Sequence, residues 1–134
     1  MSLDRKLILT RCAEIAESCK RLEEIAAAGK DLFQKGRDRR DIASYRLLVA
    51  IEAALNICYH VCSKKLTRIP ENYAQCFELL GKEDIIAPDL SDRLQSMARF
   101  RNLLIHLYYR VDDEELYKII NNHLDDLREF CRSM

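Results

Sequence analysis

Chain breakers are scarce here: the 134 residues include three glycines and two prolines, and no tryptophan. An all-β fold would need turn signals every roughly 8–12 residues, and this chain lacks them. No apolar run reaches the roughly 18 residues that span a bilayer. Met1 to Thr10 carries Asp4, Arg5 and Lys6 without the apolar stretch of a secretion signal. These absences predict a cytoplasmic protein with no membrane partner. Net charge is missing too, 22 basic residues against 22 acidic ones, so bulk charge favours no class of partner. What remains is 49% hydrophobic and 33% charged, a globular balance whose length fits one domain, residues 1–134.

Six cysteines stand out: Cys12, Cys19, Cys58, Cys62, Cys76 and Cys131. A disulfide framework belongs to small, loop-rich secreted chains, which this is not. A zinc set of Cys58, His60 and Cys62 fails on geometry. On a helix the two cysteines share a face, and His60 lies about 160° from each. The expectation is therefore reduced, buried cysteines acting as small hydrophobes, with no metal and no cofactor.

The distribution of charge says more than its sum. Glu71 to Asp92 carries six acids and one lysine, and Asp112 to Glu129 seven acids and two bases. Between them Arg93, Arg99, Arg101 and Arg110 stand without an acid. A second basic cluster comprises Lys35, Arg37, Arg39, Arg40 and Arg46. The acid-free segment is the expected place for an anionic ligand.

Periodicity predicts about five helices in an antiparallel, up-and-down all-α bundle. The first spans about 3–34, with a narrow seam of Ile8, Cys12, Ile15, Cys19, Leu22, Ala26, Gly29 and Phe33. The second spans about 41–64 and is apolar nearly all round from Leu47 to Cys62, as in a bundle centre or subunit interface. Its polar exceptions, Tyr45, Glu52, Asn56 and His60, form one stripe, either a hydrogen-bonded ladder or the lining of a cleft. After Pro70 a short helix runs over about 72–80, stopped by Gly81. Pro88 and Asp89 open a fourth, continuing to about 109. Asp112 and Glu115 suggest a capping box for the fifth, ending near 132.

The fourth helix carries the chemistry. Arg101 and Tyr108 are seven apart and would lie within about 20° of each other on one helix. Asn102 and His106 form a second stripe that Tyr109 extends. Arg101 and His106 are separated by about 140°, so one straight helix points them to different flanks. For both to face one phosphate, the helix must distort, the long arginine must curl round, or a second copy of the chain must contribute. A homodimer is the economical solution and the mechanistic expectation. Taken singly each residue is ordinary: a helix-end histidine often answers the helix dipole, and tyrosines pack at half-buried positions.

The string Arg101-Asn102-Leu103-Leu104-Ile105-His106-Leu107-Tyr108 resembles the R-x4-H-x-Y motif of the HepT branch of the HEPN superfamily. Further likeness lies in Tyr45-Arg46-Leu47-Leu48, Ile51-Glu52-Ala53, Pro70-Glu71-Asn72-Tyr73, Phe77-Glu78-Leu79-Leu80 and Val111-Asp112, so that it covers about residues 40–134. The resemblance implies a HEPN-like helical homodimer acting as a metal-independent ribonuclease toxin. It also implies an MntA-like nucleotidyltransferase antitoxin that silences the toxin by adenylylating the motif tyrosine, here Tyr108.

RNA brings its own nucleophile, the 2′-hydroxyl, so its cleavage calls for proton transfer and positive charge. Histidine suits the first and arginine the second. His106 is therefore the expected acid–base, Arg101 the phosphate clamp, and Asn102 and Glu52 their supports. Adenylylated Tyr108, on the flank of Arg101, would compete with RNA for that cation. The rivals are a non-catalytic module that docks a nucleotidyltransferase and senses nucleotide, and a purely structural helical dimer.

Overall fold

The computed structural model describes residues 2–134; Met1, the first residue of the expected domain, lies outside them. Seven α-helices and no strand are present among the described residues. They run α1 Arg5–Ala27, α2 Lys30–Lys35, α3 Arg37–Val61, α4 Tyr73–Lys82, α5 Pro88–His106, α6 Asp113–Asn122 and α7 Leu124–Ser133. A π-helical turn, Cys62–Leu66, prolongs α3, and a 3-10 turn, Tyr108–Arg110, follows α5.

Five expected helices become seven because two of them break. The first breaks at Gly29, whose φ of 100° is open to glycine and strained for other residues. Gly29 is thus a joint, not a member of the packing seam. The last breaks at His123, where φ −120° and ψ 8° leave the helical region. Asp112 caps α6 through its own carboxylate, which accepts from the Glu114 amide. That is the predicted start, made without the reciprocal Glu115 bond of a capping box. Asn72 caps α4 in the same way from the Gln75 amide, and Pro88 occupies the first turn of α5.

The bundle is antiparallel, with α1 packed along α3 and α4 along α5. One core cluster joins them, including Leu22, Leu47, Ile57, Phe77, Leu94 and Phe130. The stretch 37–66 is long and apolar enough to cross a membrane by length and composition, yet more than half of its most apolar window is buried in the bundle. That is the behaviour of a core helix. Gly81 does not stop α4. It lies inside the helix where α5 crosses, and a Cβ there would stand 2.6 Å from the Ser91 side chain.

The cysteines depart from expectation at one pair. Cys58 of α3 and Cys76 of α4 form a disulfide, their Cα atoms 6.2 Å apart and so within bridging range. Packing of the two helices brought together residues that no spacing rule connects. Cys12, Cys19, Cys62 and Cys131 remain free thiols, as expected.

Candidate functional site

Arg101 is 9% exposed, an uncommon depth for a guanidinium. It turns from α5 into the junction of α3 and α4. Its Nε donates to Glu52 Oε1 at 2.5 Å, and its Nη1 donates to Asn102 Oδ1 at 3.2 Å. Its carbon Cζ stands 4.2 Å from the centre of the Tyr73 ring, a cation–π contact. Tyr73 is itself braced edge-on by Tyr59, with ring centres 6.0 Å apart. Burial, then the neighbouring Tyr73, pushes the Tyr59 phenol above its ordinary range, and Arg101 opposes that shift. The arginine is therefore fixed in orientation before any ligand arrives, with Asn102 and Glu52 both in contact with it.

His106 is not brought to Arg101. It is the last residue of α5 and exposed, while Arg101 faces inward. The five-residue offset separates them by about 140° and roughly 7.5 Å along the axis. Within one chain the imidazole and the guanidinium serve different surfaces.

Tyr108 departs further from expectation. The helix ends at His106 because Leu107 adopts φ −135° and ψ 45°, so seven-residue spacing no longer places Tyr108 on the flank of Arg101. In the 3-10 turn its hydroxyl instead donates to Asp41 Oδ1 at 2.6 Å. The Arg40 guanidinium covers its ring at 4.9 Å. Arg40 is held in turn by Asp113, 2.5 Å away. That contact satisfies charge without an aligned hydrogen bond. Burial first, and then the bond to Asp41, pushes the Tyr108 phenol above its ordinary value. Asp41 and Glu52 are eleven residues apart on α3, about 16 Å along the helix axis. Tyr108 and Arg101 are therefore held at separate stations along α3. Tyr109 does not extend the Asn102–His106 stripe; it is 75% exposed beyond the helix.

The polar stripe of α3 divides by partner. Glu52 meets Arg101, whereas Asn56 accepts from Arg11 Nε at 2.9 Å and His60 Nε2 accepts from the Asp4 amide at 2.8 Å. Two of its members thus tie α3 to α1 and its N-terminus. The acid-free basic segment is neutralised in space by distant acids: Arg93 pairs with Asp126 at 2.8 Å and Glu129 at 3.6 Å. Only part of that segment is left to hold an anion. A groove of about 890 Å³ lies between α5, α6 and α7 beside Arg93, Phe100 and His123, away from the Arg101 cluster.

Three buried sulfurs, of Cys58, Cys62 and Cys76, lie within 4.8 Å of one another. Cys76 takes the place that the sequence offered to His60. With Cys58 and Cys76 joined, Cys62 is the one free thiol of the three, and burial pushes it up. Sequence reasoning missed Asp41, Arg40 and Tyr59 as neighbours of the motif. No spacing rule links them to it.

The family model described as "Ribonuclease HepT-like" matches residues 15–134. The chain belongs to the HepT-like family. Among its relatives, the mRNA nuclease HepT of Shewanella oneidensis is 26% identical over 124 residues, covering 92% of each chain. The tRNA nuclease HepT of Aphanizomenon flos-aquae is 23% identical over 133 residues, 99% of this chain and 90% of its own. Among solved structures, the tri-AMPylated HEPN toxin of Shewanella oneidensis in complex with its MNT antitoxin superposes with a TM-score of 0.89. It is 25% identical and covered to 97% in both chains.

Proposed function

We propose that this HepT-like protein is a metal-independent endoribonuclease toxin, a single HEPN domain over residues 1–134 that works as a cytoplasmic homodimer. One observation carries the reading. A guanidinium is held rigid on an aromatic platform, and an exposed imidazole closes the same helix. Arg101 commits Nε to Glu52 and Nη1 to Asn102, leaving its Nη2 hydrogens for a phosphate oxygen. As the RNA 2′-hydroxyl attacks phosphorus, charge grows on the phosphate oxygens and the fixed cation stabilises it. His106 moves the proton, its imidazole offering one nitrogen to accept and one to donate. Since one chain separates the two groups, the site is composite, with Arg101 from one protomer and His106 from its partner.

An MntA-like nucleotidyltransferase antitoxin silences this site by adenylylating Tyr108. The relatives named as mRNA and tRNA nucleases, and the toxin solved with an MNT antitoxin, support both halves of the reading. The added AMP brings bulk and phosphate charge to the end of the helix that carries Arg101 and His106, competing with RNA for the site. The test is cleavage of tRNA and mRNA by purified protein. His106→Ala is expected to lose about 100- to 10,000-fold in rate with its helical spectrum and dimer intact. An active His106→Ala protein would overturn the assignment.

A further inference from the structure

Exposure alone would select the wrong tyrosine for modification. Tyr109 is 75% exposed and adjacent in sequence, whereas Tyr108 is half-buried. What sets Tyr108 apart is its hydroxyl, 2.6 Å from the Asp41 carboxylate. The ring is clamped between the bundle and the Arg40 guanidinium, so the Tyr108–Asp41 geometry is fixed by packing. The other charged groups around it are Arg40, from α3, and Asp113, from the start of α6.

We infer that Asp41 is the proton acceptor for modification of Tyr108, so that the toxin itself supplies the base for its own nucleotidylation. This rests on the reading of Tyr108 as acceptor of a nucleotidyl group. In the step, the Tyr108 hydroxyl oxygen forms a bond to the α-phosphorus of a nucleoside triphosphate held by the nucleotidyltransferase. The bond from that phosphorus to the pyrophosphate oxygen breaks, and pyrophosphate leaves. The phenolic proton passes to Asp41 Oδ1 and from there to water. A neutral phenol is a weak nucleophile near pH 7, and a base in hydrogen-bond reach removes the need for prior ionisation. The carboxylate is a much weaker base than phenolate. Its proton transfer therefore comes late, when the forming O–P bond has made the phenol strongly acidic. Tyr109 stacks with Arg110, at 5.8 Å, a contact that offers no base.

The experiment follows transfer of labelled AMP from ATP to the full-length toxin by its nucleotidyltransferase partner. Rates are measured over pH 6.5–9.5, and sites are mapped by mass spectrometry. Asp41→Asn keeps the size and an acceptor oxygen but not the basicity. Its rate at pH 7 is expected to fall by about 100-fold or more, with complex formation on size-exclusion chromatography unchanged. The deficit should shrink as pH rises and solvent ionises the phenol. Tyr109→Phe is expected to be modified at the normal rate. Full-rate transfer to Asp41→Asn at pH 7, or a deficit equal at every pH, overturns the role of Asp41 and leaves Tyr108 as acceptor. Undiminished AMP incorporation into Tyr108→Phe overturns the acceptor itself.

Discussion

Arg101 illustrates how a charged residue can be buried without being stranded. Its guanidinium has a carboxylate at one edge, an amide oxygen at another and an aromatic face beneath. Tyr73→Leu removes the face while keeping an apolar side chain. A partly desolvated cation–π contact contributes about 0.5–2 kcal/mol, so this variant should melt a few degrees lower. Its loss in RNA cleavage should be larger than its loss in stability, because the guanidinium would no longer be held in place. Tyr73→Phe should retain both, and equal behaviour of the Phe and Leu variants would count against the platform. Cys19 offers a cleaner test of burial. Desolvation pushes its thiol from 9.0 to about 11, against the opposing pull of Arg128. The folded value lies above the unfolded one, so the stability it contributes is intact below about pH 9 and is lost as pH rises through about 11. Native protein at pH 8.5 should leave Cys19 unalkylated while denatured protein is alkylated there, and rapid native labelling would refute its burial.

Helix ends, more than helix interiors, decide where the motif residues go. Leu107 leaves the helical region one residue after His106, and that single departure sends Tyr108 to Asp41 rather than to the flank of Arg101. The α4–α5 crossing depends in turn on Gly81, where a methyl group would collide with Ser91 Cβ and Oγ at 2.6 Å. Ser91 also donates to the buried Phe77 carbonyl at 2.9 Å, so it has little room to withdraw. Gly81→Ala should destabilise by about 1–3 kcal/mol, the usual range for overpacking. Ser91→Gly added to it should recover part of that loss in a double-mutant cycle by denaturant unfolding. Purely additive effects would place the strain elsewhere. Such a close approach is invisible in sequence, where Gly81 reads equally well as a helix stop.

For the molecule as a whole, the composite site proposed above makes a specific prediction about mixed dimers. Arg101→Ala and His106→Ala should each be inactive alone. Mixed after unfolding and refolding together, they should recover about a quarter of native activity, since half the dimers are mixed and one of their two sites is intact. No recovery in a mixture shown to contain heterodimers would mean that each chain builds its own site. The same neutral charge that hid the partner class from composition predicts that RNA affinity comes from a local patch and falls steeply with salt.

Much of this was legible from one sequence. The shortage of glycine and proline, with apolar residues recurring at three and four, fixes an all-α bundle because backbone hydrogen bonds must close locally when no turns allow a sheet. The spacing of Arg101, His106 and Tyr108, set in its longer string, was enough to point to the HepT branch, whose family model matches residues 15–134. Tertiary structure decided everything that depends on which helices meet. It gave Arg101 its partners on α3 and α4, joined Cys58 to Cys76, neutralised Arg93 through α7, and handed Tyr108 to Asp41. The physical reason is one of range. Helical periodicity is set by hydrogen bonds between near neighbours and can be read along the chain, whereas a side chain's partner depends on packing between segments dozens of residues apart.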